Sequence, residues 1–181
     1  MKFIPLELSG AYLIETKVFS DDRGSFFESF RGDEFAAATG CNDAFVQDDH
    51  SISNQGVLRG LHYQIEHAQG KIIRVVVGEI HDVILDIRRS SPTCGRTLAL
   101  RLSAQGRTAL FIPKGFAHGF LTLSPTAEVL YKVTDFYAPQ HQRCIRWDDP
   151  TLRIEWPSNH QPLLSERDAQ GTRFDQAELF D

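Results

Sequence analysis

The sequence has few cysteines: Cys41, Cys94 and Cys144 among 181 residues, widely spaced and without a C-x-x-C pair. An odd, scattered set supports neither a disulfide framework nor a structural zinc site. No apolar run reaches eighteen residues, so no membrane-spanning helix is expected. The opening MKFIPLELSG holds no apolar stretch of signal-peptide length. An excess of one charge is also missing. Lys and Arg number 19 against 24 Asp and Glu, a net charge of −5. No overall basic balance points to nucleic acid or an anionic membrane, although one cleft can still carry a local cationic field. Repeats, low-complexity tracts and linkers are absent. These absences lead to an expectation of a cytoplasmic globular protein with one domain over residues 1–181.

What is present is mostly β-like. AYLIETKVF alternates loosely and reads as a strand. KIIRVVVGEIHDVILDI reads as two Val/Ile-rich strands forming a hairpin that turns near Gly78. TLALRL and TALFI flank the polar turn SAQGR, and EVLYKV and CIRW add two more candidates. Short strands at this spacing suggest a sandwich or barrel. Two short helices are expected. One spans 33–39, with Asp33 near its N-cap and Gly40 at its end, and one starts at Ser165. So little helix argues against a doubly wound α/β fold.

The densest polar segment runs from Gln47 to Lys71, QDDHSISNQGVLRGLHYQIEHAQGK. Strict alternation in a strand places Leu58, Gly60, His62 and Gln64 on one face and Arg59, Leu61 and Tyr63 on the other. Arg59 and His62 then share a site only if a bulge at Gly60 resets the phase. A second segment, IPKGFAHGF, contains P-x-G-x-x-H, the second half of the cupin pattern. Its first half is matched in spacing by Gly56-x5-His62-x-Gln64-x4-Gln69, with Gly78 beyond. The spacing resembles a cupin and implies a double-stranded β-helix, a mainly β jelly-roll barrel. Gln64 and Gln69 stand where a second His and a Glu would bind metal. Neutral amides are poor substitutes there, so no metal site is expected and the barrel's polar interior is read as acting on an organic substrate.

Along nearly its whole length the sequence resembles the dTDP-4-dehydrorhamnose 3,5-epimerase family. The matching runs are DDRGSFFESF, FVQDDHSIS, GVLRGLHYQ, AQGKIIRVVVGEIHDVILDIRRSSPTCG, IPKGFAHGF, YKVTDFYAP, IRWDDP and LSERD, in the family's order. The resemblance implies epimerisation at the two carbons flanking the ketone of a nucleotide-linked 4-keto-6-deoxyhexose. A base removes a proton to form an enolate, and an acid returns one on the opposite face. An electrostatically stabilised enolate needs no cofactor. The resemblance makes His62 the base, Asp168 its orienting carboxylate, Lys71 the cation near the enolate oxygen and Tyr131 the proton donor. It implies that Arg23 and Arg59 hold the diphosphate, that Glu28 and Gln47 meet the nucleoside, and that His118 lines the sugar end. It also implies a homodimer in which Arg23 and Glu28 reach the partner's site. Asp49, Gln142 and Arg167 fall in the binding shell but depart from the usual Asn, Glu and Lys. Cys144 replaces a small residue, often Gly. These departures bear on the base, the sugar and the C3-versus-C5 outcome.

Each residue also has a structural reading. His62 by type alone reads first as a core histidine. Ser165-x-x-Asp168 is a near capping box in which the acid closes a helix. Tyr131 fits an ordinary strand aromatic, Lys71 an edge charge, and Arg23 a turn. His50, His67, His81, His141 and His160 read as surface or structural, with His81 the one expected to be partly buried. Three further functions stay open beside double epimerisation: a single-centre epimerase, a metal-dependent cupin oxygenase and a sugar-nucleotide binding module.

Overall fold

The computed structural model describes residues 1–157 and 161–181, so His160 lies outside the described residues. The Val-, Ile- and Thr-rich runs form two facing antiparallel sheets. One takes β1 (Lys2–Pro5), β2 (Tyr12–Glu15), β5 (Gln47–Asn54), β7 (Lys71–Val77), β10 (Thr108–Ile112) and β12 (Thr126–Val133), in the order β1-β2-β10-β7-β12-β5. The other takes β6 (Leu58–Gln64), β8 (Glu79–Asp86), β9 (Thr97–Ser103), β11 (Phe116–Thr122) and β13 (Gln142–Cys144), in the order β13-β6-β11-β8-β9. From β5 to β8 the chain changes sheet at every step. This is the expected cupin-type double-stranded β-helix. A separate hairpin of β3 (Val18–Asp21) and β4 (Gly24–Phe27) makes a third, two-stranded sheet.

Period-two side chains build three apolar layers. Between the sheets, Ile73, Val75, Ile80, Ile84, Leu110, Phe116, Phe120 and Val129 form the central core. On the outside of the six-stranded sheet, Ile72, Ala109 and Phe111 pack under Phe35 of α1 (Gly32–Thr39). On the outside of the five-stranded sheet, Leu61, Tyr63, Val83 and Leu85 are covered by Trp156, Phe174 and Phe180 of the C-terminal segment. Each fully buried aliphatic side chain in these layers contributes roughly 1.5–3 kcal/mol. Both barrel walls are therefore held from inside and outside, which makes a rigid frame for an interior site.

Several expectations need correction. AYLIETKVF is two strands, because the chain leaves the six-stranded sheet after Glu15 and enters the β3–β4 hairpin at Val18. The pair around Gly78 is no hairpin. β7 and β8 belong to different sheets, and Gly78, at φ 73°, carries the chain across the barrel corner. The strand expected at CIRW ends earlier, as β13 at Gln142–Cys144. Helix α1 begins at Gly32, one residue early, and its N-cap position is Arg31 with no side-chain cap. Asp33 sits in the first turn, where its carboxylate accepts from Arg31 and from the Glu34 amide. Gly40 does end the helix, in the left-handed conformation. The second helix, α2 (Glu166–Ala169), is capped by Ser165 as expected.

Candidate active site

Strand parity puts polar residues onto inward faces at one end of the barrel. Lys71 shares a face with Ile73 and Val75 on β7, Tyr131 with Val129 on β12, and His118 with Phe116 and Phe120 on β11. Asp49 and Ser51 share a face on β5, next in the sheet to β12. The result is a cavity of ≈ 190 Å³ whose wall includes Asp49, Arg59, His62, Lys71, His118, Tyr131 and Gln142. Whole-ligand sites measure roughly 300–1,000 Å³, so this recess suits one end of a larger ligand. It adjoins an open groove of ≈ 810 Å³ that shares Arg59, His62 and Gln142 and adds Cys144, Arg167 and Asp168.

Arg59 and His62 meet there because β6 carries a bulge. Arg59 pairs with Phe120 and His62 with His118, so three steps on β6 match two on β11. The extra residue resets the alternation, as the Gly60 reading allowed. Gly60 has φ 121°, and a Cβ there would lie 2.5 Å from the Gly119 Cα and 2.6 Å from the His118 carbonyl oxygen. Only glycine permits this approach of β6 to β11.

His62 Nε2 lies 2.6 Å from Asp168 Oδ1. The carboxylate sits off the ring's N–H direction, so the pair is a close charge contact rather than an aligned hydrogen bond. Such contacts commonly tighten only with substrate bound. Asp168 is 3% exposed. Burial pushes its pKa up, but His62, the Ser165 hydroxyl at 2.6 Å and the Gly60 amide at 3.1 Å outweigh it and hold the carboxyl down to about 2. With Nε2 buried against Asp168, Nδ1 is the ring nitrogen left for a ligand.

A second pair runs from the cavity wall inward. His118 Nε2 is 2.7 Å from Asp82 Oδ2, with both residues buried. Tyr131 Oη is 3.1 Å from Ser51 Oγ, and burial raises the phenol to about 12. Burial lowers the Lys71 ammonium to about 8, against the opposing pull of Asp49.

The departures at the rim are wired together. Gln142 Oε1 accepts from the Tyr137 hydroxyl at 2.7 Å and from the Arg167 guanidinium. Gln47 donates to Asp49 at 2.9 Å and accepts from the Tyr137 amide at 3.0 Å. Gln47 thus touches the cavity through Asp49. Arg23 and Glu28 line neither the cavity nor the groove; Arg23 is exposed at the hairpin turn, paired with Asp21. Gln64 and Gln69 are committed to backbone. Gln64 bonds the His67 carbonyl oxygen and the Ala138 amide, and Gln69 the Asp135 carbonyl oxygen. Their amides brace the loops beside the cavity, which fits poorly with a ligand role.

The family model for dTDP-4-dehydrorhamnose 3,5-epimerase matches residues 5–176. The chain belongs to this family. It is therefore an epimerase of the isomerase class. A dTDP-4-dehydrorhamnose 3,5-epimerase of Pseudomonas aeruginosa is 54% identical over 180 residues, 99% of each chain. A Legionella pneumophila dTDP-6-deoxy-D-glucose-3,5-epimerase, solved in complex with dTDP-4-keto-L-rhamnose, is 42% identical with TM-score 0.95, covering 98% of this chain and 94% of that one. A 3'-monoepimerase of Streptomyces bikiniensis, in complex with dTDP-quinovose, is 36% identical with TM-score 0.89, covering 94% and 87%.

Sequence reasoning about this epimerase missed Asp82, Ser51 and Tyr137. Asp82 left a signal. It alternates with Ile80 and Ile84 on an inward face, where a carboxylate needs a partner. Ser51 and Tyr137 left none, because their contacts come from strand pairing and loop placement. Three of the remaining histidines behave as read. His50 and His67 are exposed beside Glu128 and Asp135, and His81 is partly buried against Trp156.

Proposed function

We propose that this epimerase converts dTDP-4-dehydro-6-deoxy-D-glucose to dTDP-4-dehydro-L-rhamnose, inverting C3 and C5. The observation that carries the reading is the opposition of His62 and Tyr131 across one cavity. His62 enters from the five-stranded sheet and Tyr131 from the six-stranded one. A base and an acid on opposite walls can invert the carbon between them.

The ketone acidifies the hydrogens on its neighbouring carbons. His62 Nδ1 takes one of them, and Asp168 stabilises the imidazolium that forms. Charge moves to the ketone oxygen, where the Lys71 ammonium meets it in a desolvated recess. Tyr131, protonated at neutral pH, gives its proton to the opposite face. Between turnovers His62 releases its proton and Tyr131 regains one through Ser51. The small cavity takes the hexose end, while Arg59 and Arg167 in the groove meet the diphosphate as guanidinium forks. Gln142 and Tyr137 fix Arg167, and Gln47 holds Asp49, so the departures at 49, 142 and 167 tune the rim. The same reading takes the protein as cytoplasmic and as a homodimer, with Arg23 and Glu28 completing the partner's site.

Incubation in heavy water tests this. Deuterium entering C3 and C5 of dTDP-4-dehydro-6-deoxy-D-glucose is expected. Entry at one carbon supports a single-centre epimerase, and entry at neither overturns the assignment. A binding module would hold dTDP-sugars with no exchange in the wild type. His62→Ala should retain nucleotide binding and lose the exchange.

A further inference from the structure

We propose that Cys144 converts the His62–Asp168 pair into a three-ligand site for a thiophilic divalent cation, zinc foremost, whose binding switches the base off. Cys144 stands directly across from His62 in the β13–β6 ladder. Its Sγ is 4.0 Å from Asp168 Oδ1. The sulfur, an imidazole nitrogen of His62 and a carboxylate oxygen of Asp168 all lie within 4.8 Å of one another. Zinc bonds of about 2.0–2.3 Å place tetrahedral ligand atoms roughly 3.3–3.8 Å apart. The 2.6 Å His62–Asp168 contact has to open and the sulfur has to close, each by about 1 Å. Side-chain rotation covers both.

Two independent features favour an ion over a plain packing cysteine. His62 Nε2 is buried against Asp168 Oδ1 at 2.6 Å without an aligned hydrogen bond, so a cation entering between them replaces a close charge contact with two metal bonds. The site also opens into the groove bounded by Gln142, Ser165 and Arg167, where a water can take the fourth position. Thiolate, imidazole and carboxylate together are a borderline-soft set that suits zinc. Burial and the neighbouring Asp168 push the thiol up to about 12, so it is inert as a free nucleophile. A cation reverses that balance. The thiol proton leaves to solvent as the sulfur–metal bond forms.

The consequence for catalysis is a tautomer change. A metal on Nε2 needs that nitrogen's lone pair, so the ring proton moves to Nδ1. Nδ1 then cannot accept a substrate proton, and Asp168 is no longer free to stabilise an imidazolium. The inhibitory half of the proposal rests on the reading of His62 as base; the binding half does not.

The test uses the full chain. Cobalt(II) added to wild type is expected to give a near-ultraviolet thiolate-to-cobalt charge-transfer band saturating at one equivalent. The band should vanish in Cys144→Ser and Cys144→Ala, which both retain Cys41 and Cys94. In parallel, zinc should inhibit epimerisation in wild type. Measured against each protein's own activity in chelated buffer, its half-inhibiting concentration should rise by roughly tenfold or more in either variant. No band in wild type, equal bands in all three proteins, or equal zinc sensitivity overturns the proposal. If none of the proteins turns over the dTDP-sugar, the cobalt spectra still decide the metal site, and the failure lies with the substrate assignment.

Discussion

One carboxylate, that of Asp168, both accepts from the capping residue of α2 and contacts His62. Oδ2 accepts from the Ser165 hydroxyl at 2.6 Å, while Oδ1 lies 2.6 Å from His62 Nε2. Ser165 Oγ, not the acid, caps the helix by accepting from the Asp168 amide, and the same hydroxyl donates to the Asp168 carboxylate, so the cap residue fixes the carboxylate that contacts the ring. The two roles separate by mutation. Asp168→Asn should lower kcat by about 10²–10⁴-fold, because an amide neither holds the tautomer nor stabilises the imidazolium. Ser165→Ala should cost about 0.5–2 kcal/mol of stability as a lost cap, with a far smaller loss of kcat. Steady-state kinetics and urea unfolding on both variants check this. Equal losses of kcat would remove the orienting role.

Lys71 gives the pH dependence a definite sign. Burial lowers its pKa from 10.5 to about 8. The cation is present below about pH 8 and lost above it, so kcat should fall on the alkaline side near pH 8. Lys71→Arg keeps the charge at every accessible pH. It should move that limb to higher pH even though the altered geometry lowers the plateau. Folding stability runs the opposite way. The unfolded chain binds the Lys71 proton more tightly than the native one, so this group's contribution rises between about pH 8 and 10.5. An alkaline limb unchanged in Lys71→Arg would assign it to another group.

Gly78 marks the barrel corner. A Cβ at this residue would lie 2.0 Å from the Thr126 carbonyl oxygen and 2.3 Å from Ser124 Oγ, at φ 73°. Gly78→Ala should destabilise the fold by more than about 1 kcal/mol. The corner lies away from the cavity wall, so kcat of the folded fraction should hold. A denaturant midpoint equal to wild type would contradict the assigned strain.

Gly78 also shows what sequence can and cannot carry. The glycine announced that the chain turns, and it does, but a hairpin and a sheet-to-sheet corner share that local signal. Only the pairing partners of β7 and β8 separate them, and those come from β10, β12, β11 and β9. At Gly60 the opposite holds. Alternation alone split Arg59 from His62, and the glycine named the one place where a bulge could reunite them. The strand runs and both helices were legible in apolar periodicity and turn residues, whereas the gathering of His62, Lys71, Tyr131 and His118 came only from the family resemblance, since local pattern alone reads Lys71 as an edge charge and Tyr131 as a strand aromatic. The wiring of Asp49, Gln142 and Arg167 was not. It depends on the Tyr137 loop, whose position follows from the packing of Gln64 and Gln69 beneath it.

The β3–β4 hairpin carries the last prediction. Phe19 and Phe26 pair directly across its strands, so they project from one face, and they are 54% and 71% exposed. Two neighbouring exposed phenylalanines on an isolated hairpin have no core of their own to join, and an apolar patch of this kind marks an association surface. Arg23 sits at the tip of the same hairpin, far in sequence from the residues of the cavity it is expected to serve. Both facts follow if the hairpin docks on a second copy and carries Arg23 to that copy's groove. Phe26→Asp should then shift the protein from dimer to monomer in sedimentation-velocity runs and lower kcat/KM mainly through KM. Arg23→Ala should leave the dimer intact and also raise KM. A monomeric wild type, or a Phe26→Asp dimer with unchanged kinetics, would detach the hairpin from both assembly and substrate binding.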